Sequence, residues 1–466
     1  MGAFLVTMGA SSLCECAACC ACSLLTTLID FTMSQMRRIS HLLLMIATFS
    51  AAVILGRYYP DKLNGSLSDF TKIDLSGQCD AAYLDECVYR QLIYRASLSL
   101  FLLFSALAAG SYFFDTVDRS FWPVKFLAAL GVLAAFLWDD NAVFSQWAEV
   151  SRVLSLAWLL VQSLLVLDLA FGLHEVVMAR AAAEEARSRG DSRFYLGLYL
   201  ALGMGLLALS CVGLSYIFSD YAGCELGRFF AVTTVVIGIV SAAVSMLTVV
   251  NKGLLTPCAC LAYSTFLCWY ALLSSPDAEC NPTAGTNGGP AKDASVALIA
   301  ALSSAVLLIC VCHGARILSI FNPRGQGLLE AGSQLEVDLV TGRGKQSSSS
   351  SSSSDGHADM GTIKATALPY TSVEDDGAGA GDEGGARPAA PASERVFFHV
   401  LMALASAYGG MILTSWGKTN GAPESAAVSG SSPGVASESM WFKIVAQWVF
   451  AALYLKALHA AYVDEQ

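Results

Sequence analysis

Charge is scarce in this sequence. Asp, Glu, Lys and Arg make up only 14% of the 466 residues, where a soluble globular domain carries about 25%. Apolar residues fill the gap at 55% of the chain. They gather in blocks near the roughly 20 residues that carry a helix across a bilayer. That pattern excludes a soluble enzyme or binding domain and predicts an all-α polytopic membrane protein. A basic surface is lacking too: 27 Lys and Arg stand against 38 Asp and Glu, for a formal net charge of -11. No nucleic-acid partner is expected.

Catalytic signatures are also absent. The chain holds no HExxH, no GxSxG placed as a strand-to-helix elbow (Gly430 to Gly434 fit the letters, within a Ser/Pro/Gly-rich stretch), no GxxxxGK[ST] phosphate loop and no GxGxxG after a strand. Neither an enzyme nor an ATP-driven pump is expected, and neither a cofactor nor a metal. Cys258-Ala-Cys260 and Cys310-Val-Cys312 lie in or beside apolar segments and read as small packing residues.

What is there centres on Gln146 to Gly190. No Pro interrupts this stretch, and Gly172 is the one Gly before Gly190. A helix from Trp147 to Arg187 would be about 60 Å long at roughly 1.5 Å per residue, twice the ~30 Å hydrocarbon core. It must tilt steeply or leave the membrane on one side. Asp168 sits mid-span in LLVLDLAF, and Glu175 returns to nearly the same helical face. A central carboxylate costs about 2.5–3.5 kcal/mol on insertion scales, so it must face protein, water or a cation.

Ten spanning segments are predicted: 39–58, 92–114, 121–138, the long fourth, 194–218, 229–250, 254–274, 295–320, 396–416 and 440–462. Residues 1–38 form a Cys-rich N-terminal segment with Cys14, Cys16, Cys19, Cys20 and Cys22. A signal peptide would need a basic n-region there, and Val6 breaks the myristoylation pattern. S-palmitoylation and plain helix packing both stay open, as does whether this segment crosses as well. Segments 1–8 fill 39–320, and segments 9 and 10 fill 396–466. Between them, 321–395 reads as a disordered acidic cytoplasmic loop, with eight consecutive serines from Ser347 to Ser354.

The basic residues of the short loops divide evenly between the two sides, so the positive-inside rule does not choose an orientation. With the N-terminus cytoplasmic, however, the loop cysteines Cys79, Cys87, Cys224 and Cys280 share one side with the sequon Asn64-Gly65-Ser66. An oxidising lumen or exterior suits both disulfides and N-glycans. Four cysteines allow three pairings, with Cys79–Cys87 the local choice.

Ionisable residues inside or at the ends of apolar segments are the candidate site: Arg95, Lys125, Asp168, Glu175, His399 and Lys443. Intramembrane charges are candidate functional groups by default. The alternative is that they pair only to hold the bundle together, or snorkel from segment ends. As a group they suggest a polar seam among helices two, three, four, nine and ten. Trp138, Trp147, Trp269, Trp416 and Trp441 fall near segment ends, as an interfacial aromatic belt does.

Several stretches, in this order and spacing, resemble the serine incorporator family. They are the N-terminal cysteine cluster, VYRASLSLFLLFS, FWPVKFLAALG, VQSLLVLDLAF, CVGLSYIFSDYAGC, SSPDAECNP, FFHVLMALASAYGGMILTSW and WFKIVAQWVFAALYLKAL. The resemblance implies ten transmembrane helices in two bundles bridged by a long, tilted fourth helix. It also implies lipid work. The family has been tied to serine delivery for phosphatidylserine and sphingolipid synthesis, and to phospholipid movement between leaflets without ATP. Some animal members impair enveloped virus particles. The similar pieces carry Arg95, Lys125, Asp168, His399 and Lys443 along, with no catalytic role for any. The loop of eight serines and the C-terminal VDEQ look particular to this chain, so partner binding through loops does not transfer.

Three functions follow as expectations. The first is passive phospholipid movement along the polar seam. The second is a serine carrier or scaffold for lipid-synthesis enzymes, although no matched pair of broken helices is visible. The third is a regulatory membrane protein acting through its acidic loop. Membrane phospholipids are the expected partners, then serine or lipid-synthesis enzymes, with homo-oligomers left open. The expected location is the endomembrane system or plasma membrane.

Overall fold

The computed structural model describes residues 33–59, 83–114, 122–187, 192–246, 253–275, 280–282, 295–305, 392–420 and 435–464, with single positions 79, 117 and 277 between them. The N-terminal cysteine cluster, Asn64 and nearly all of the acidic loop lie outside the described residues. Helix is the regular structure of the described residues. In chain order the helices are α1 (Met33–Tyr58), α2 (Leu84–Phe113), α3 (Trp122–Phe136), α4 (Asn141–Arg187) and α5 (Ser192–Asp220). They continue as α6 (Glu225–Ser245), α7 (Leu255–Leu272), α8 (Ser295–Ala305), α9 (Ala392–Leu413) and α10 (Val435–Asp464).

These ten match the ten predicted segments in order. Eight are long and apolar enough to cross a membrane. The other two are α3, with 15 residues, and α8, whose predicted continuation to 320 lies outside the described residues. At about 1.5 Å per residue α3 reaches only ~22 Å. Its last carbonyl, at Phe136, accepts from Arg95 of α2 and from Asp139 N–H in the turn that leads into α4. The fourth helix is longer than predicted, 47 residues, since it begins six residues earlier at Asn141.

The chain divides into two compact units. The first contains 1–162, 283–314 and 395–439; the second contains 163–282, 315–394 and 440–466. The α4 helix begins in the first unit and ends in the second.

In the first unit α2 is the hub, packed against α1 and α3. Its contacts fix helix directions. At one end Arg57 of α1 pairs with Glu86 at the start of α2 (2.9 Å), and Tyr89 of α2 donates to the Leu413 carbonyl at the end of α9 (3.0 Å). At the other end Arg395 of α9 donates to the Ser111 carbonyl near the end of α2. So α1 and α9 run one way and α2 the other, as alternating spans require. Small residues let α2 and α9 approach: Ser97 donates to the Ser406 carbonyl, and a Cβ on Gly410 would stand 2.8 Å from Ser97.

In the second unit α7 packs against α5 and α6. Ile217, Tyr221, Phe230, Cys268, Leu272, Met440 and Ile444 form a buried core. The Tyr221 phenol, in the turn after α5, is pushed well above its ordinary pKa by burial.

Both disulfides form, Cys79–Cys87 and Cys224–Cys280. The first closes 8 residues and the second 56. A longer loop loses more freedom in the unfolded chain. Replacing Cys224 and Cys280 by Ser should therefore lower stability by roughly 1–2 kcal/mol more than replacing Cys79 and Cys87. Thermal melting of the two detergent-purified double variants checks the order.

Candidate functional site

The six ionisable residues fall into separate places, each with its own chemistry. Arg95 of α2 is fully buried. Its Nε donates to the Phe136 carbonyl (2.9 Å), its Nη1 to Gln91 Oε1 (2.9 Å), and its Nη2 to the Asp139 carbonyl (3.0 Å) and Asn141 Oδ1 (2.6 Å). The guanidinium also lies over the Phe144 ring at 4.1 Å. A planar fork of five donors suits this task. It ties the last carbonyl of α3, the connecting turn and the first residue of α4 to α2. Arg95 is therefore the clamp that sets where α4 begins.

Lys125 of α3 and His399 of α9 meet at the opposite end of the same unit, around His41 of α1. Lys125 Nζ lies 3.3 Å from His41 Nε2. An ammonium has only donors, so this contact needs His41 Nε2 as the acceptor. The His41 ring meets those of His399 (5.3 Å between centroids), Phe398 (5.8 Å) and Phe104 (6.2 Å). His41, Lys125 and His399 are all buried. All three stand near the N-terminal ends of their helices, which places α3 parallel to α1 and α9.

Lys443 belongs to the second unit. Its ammonium donates to Ser274 Oγ and sits over the Tyr270 ring at 3.8 Å. One turn on, Gln447 Nε2 donates to Thr234 Oγ1 (2.7 Å). Further along, Tyr454 donates to Thr256 Oγ1 (3.2 Å). The polar face of α10 is thus bonded to hydroxyls of α6 and α7, the usual way polar residues join helices in lipid.

Asp168 and Glu175 are also in the second unit, on α4, and they differ from the rest. Asp168 is half-buried and Glu175 exposed, whereas Arg95, Lys125, His399 and Lys443 are all at 5% exposure or less. Those four are enclosed; the acids are at least partly exposed. Among the described residues no group of His, Cys, Asp and Glu is placed to hold a metal ion.

The family model described as Serine incorporator (Serinc) matches residues 11–465. The chain belongs to the serine incorporator family. It is 24% identical to a probable serine incorporator of Nematostella vectensis over 397 residues, 83% of this chain and 80% of that one. It is 29% identical to serine incorporator 2 of Homo sapiens over 181 residues, a stretch covering 37% of this chain and 39% of that one. The Bos taurus serine incorporator 2 matches to the same extent.

In this serine incorporator the sequence reading missed His41, Gln91, Asn141, Ser274 and Arg152. His41 carried a usable signal, an imidazole in an apolar run three residues after Arg38. The others are partners, and the pattern of one helix does not say which neighbouring side chain it will meet.

The difference between clamp and cluster is testable. Arg95→Met removes the donor to the Phe136 and Asp139 carbonyls, and a buried acceptor left without its donor costs about 1–3 kcal/mol. Lys125→Met removes a buried charge and ties down no helix junction as Arg95 does, so its effect should be smaller. Melting temperatures of both variants in one detergent check this order.

Proposed function

We propose that this serine incorporator moves phospholipids between leaflets without ATP or catalysis, with membrane phospholipids as its partners. The endomembrane system or plasma membrane is the proposed location. The observation behind this reading is the split in exposure among the intramembrane charges. Headgroups cannot engage Arg95, Lys125 or Lys443, whose donors are turned to protein groups, or His399, which is fully buried. They can engage Asp168 and Glu175, seven residues apart on one face of α4. Two acids along a spanning helix offer the ammonium of an ethanolamine, choline or serine headgroup a favourable step inside an apolar barrier.

A second reading is delivery of serine to lipid-synthesis enzymes, in keeping with the name of the family, serine incorporator. Saturable uptake of labelled serine by vesicles holding only this protein would favour it.

The test of the first reading uses purified protein in liposomes, fluorescent phospholipid in both leaflets and an impermeant quencher outside, without ATP. Fluorescence should fall well past half. Asp168→Asn and Glu175→Gln should each slow the late phase by about tenfold, equivalent to ~1.4 kcal/mol of barrier, with melting temperatures near wild type. Quenching that stops at half, with folded and inserted protein, overturns lipid movement.

A further inference from the structure

The disulfide end of the first unit contains a cavity of about 230 Å3, lined in part by Gln91 of α2, Glu149 and Arg152 of α4, and Lys418 and Thr419 after α9. Arg152 is 4% exposed, so its guanidinium is taken almost wholly out of water. Its Nη1 donates to Glu149 Oε2 (2.5 Å). Its Nε and Nη2 are buried and meet no acceptor among the described residues. Those two nitrogens form one edge of the guanidinium, with parallel N–H bonds. It is the edge that grips a carboxylate or phosphate with two hydrogen bonds.

A buried donor left without an acceptor costs about 1–3 kcal/mol, and more on a charged group. The rest of this unit shows how such costs are avoided. Arg95, one turn from Gln91 of the same cavity, has an acceptor on every nitrogen. Arg90, beside the cavity, bonds Glu86 and the Lys418 carbonyl. Arg152 is therefore the exception in a well-satisfied neighbourhood. The same face of α4 continues the pattern: Ser151 Oγ, Ser155 Oγ, Trp158 Nε1 and Gln162 Oε1 are buried without partners among the described residues.

A second, independent feature lies just before the cavity's Lys418–Asn420 wall in the chain. Ser415 and Trp416 adopt left-handed backbone, with φ of 51° and 62°. Non-glycine residues rarely hold that conformation, and it persists where the surroundings enforce it, often at ligand sites. Here Tyr94 donates to the Gly417 carbonyl (2.6 Å), Trp416 N–H donates to the Met411 carbonyl (2.8 Å), and the Trp416 side chain is buried. Gly417 has no room for a Cβ, which would stand 2.4 Å from Arg90 Nη1. The enforced turn carries Lys418 and Thr419 to the cavity, and Cys87 of the disulfide lies 3.1 Å from the Thr419 carbonyl.

We propose that this cavity binds a small oxyanion, a carboxylate or a phosphate, on the Nε–Nη2 edge of Arg152, with Lys418 at its rim. The charge balance favours an anion, since Arg152 and Lys418 outnumber Glu149. The volume is below the roughly 300–1,000 Å3 of pockets for drug-sized ligands. It suits one polar group, either a free solute or the headgroup of a lipid whose chains stay outside. The site does not depend on lipid crossing along α4.

The test titrates full-length protein in detergent with inorganic phosphate, L-serine or dihexanoyl-phosphatidylserine, against chloride at matched ionic strength. Melting temperature and calorimetry are the readouts. At least one probe should bind saturably and raise the melting temperature. Arg152→Gln should abolish that binding, and Arg152→Lys, which keeps the charge and loses the fork, should weaken it at least about tenfold. Binding of phosphate or L-serine marks a free solute as the source, and binding of the short-chain lipid alone marks a headgroup. If Arg152→Gln fails to fold, Arg152→Lys decides. The proposal is overturned if no probe binds beyond chloride, or if the variants bind as wild type does.

Discussion

A cation buried among apolar helices must have its acceptors supplied by the protein. Water is scarce there, and a guanidinium or ammonium at mid-span costs about 2.5–3.5 kcal/mol on insertion scales. Most of the architecture of this serine incorporator can be read from how that requirement is met. Arg95 uses the end of α3, the turn after it and the start of α4, so satisfying one side chain fixes the junction of three helices. Lys443 uses a hydroxyl and an aromatic face, and so joins α10 to the segment that ends α7.

The two ends of the first unit solve the problem differently. At the disulfide end, arginines work through carbonyls and a carboxylate, with Glu86 serving both Arg57 and Arg90. At the other end a lysine and two imidazoles share a nest of aromatic rings. The first arrangement is rigid and directional, since each guanidinium fork demands acceptors in its plane. The second is compact and softer, because a ring stack constrains angles less than a hydrogen bond does. Against this background the exposure of the acids of α4 and the unmet edge of Arg152 stand out.

The sequence made the helices legible because length and hydropathy act locally. Ten apolar blocks became ten helices in order, and the four loop cysteines paired as Cys79–Cys87 and Cys224–Cys280. Boundaries were less legible. The start of α4 at Asn141 depends on Arg95, which lies 46 positions away in sequence. The ionisable residues were visible, yet their partners were not. Phe136 and Asp139 contribute carbonyls, which every residue has, and Ser274 is an ordinary serine until α10 packs beside it. Arg152 was hidden for a related reason. On the sequence it reads as one more cation near the start of a span, and only folding shows that one edge of it has been left without an acceptor.

Amine reactivity in lipid tests most directly whether the embedded cations are held by the protein. Wild-type protein in nanodiscs would be exposed to a small membrane-permeable acylating reagent, and each lysine followed by mass spectrometry over time. The account predicts that Lys125 and Lys443 stay unmodified when Lys418, at the rim of the Arg152 cavity, has reacted fully. Lys125 or Lys443 reacting as fast as Lys418 would mean that water or headgroups reach them, and would contradict the account.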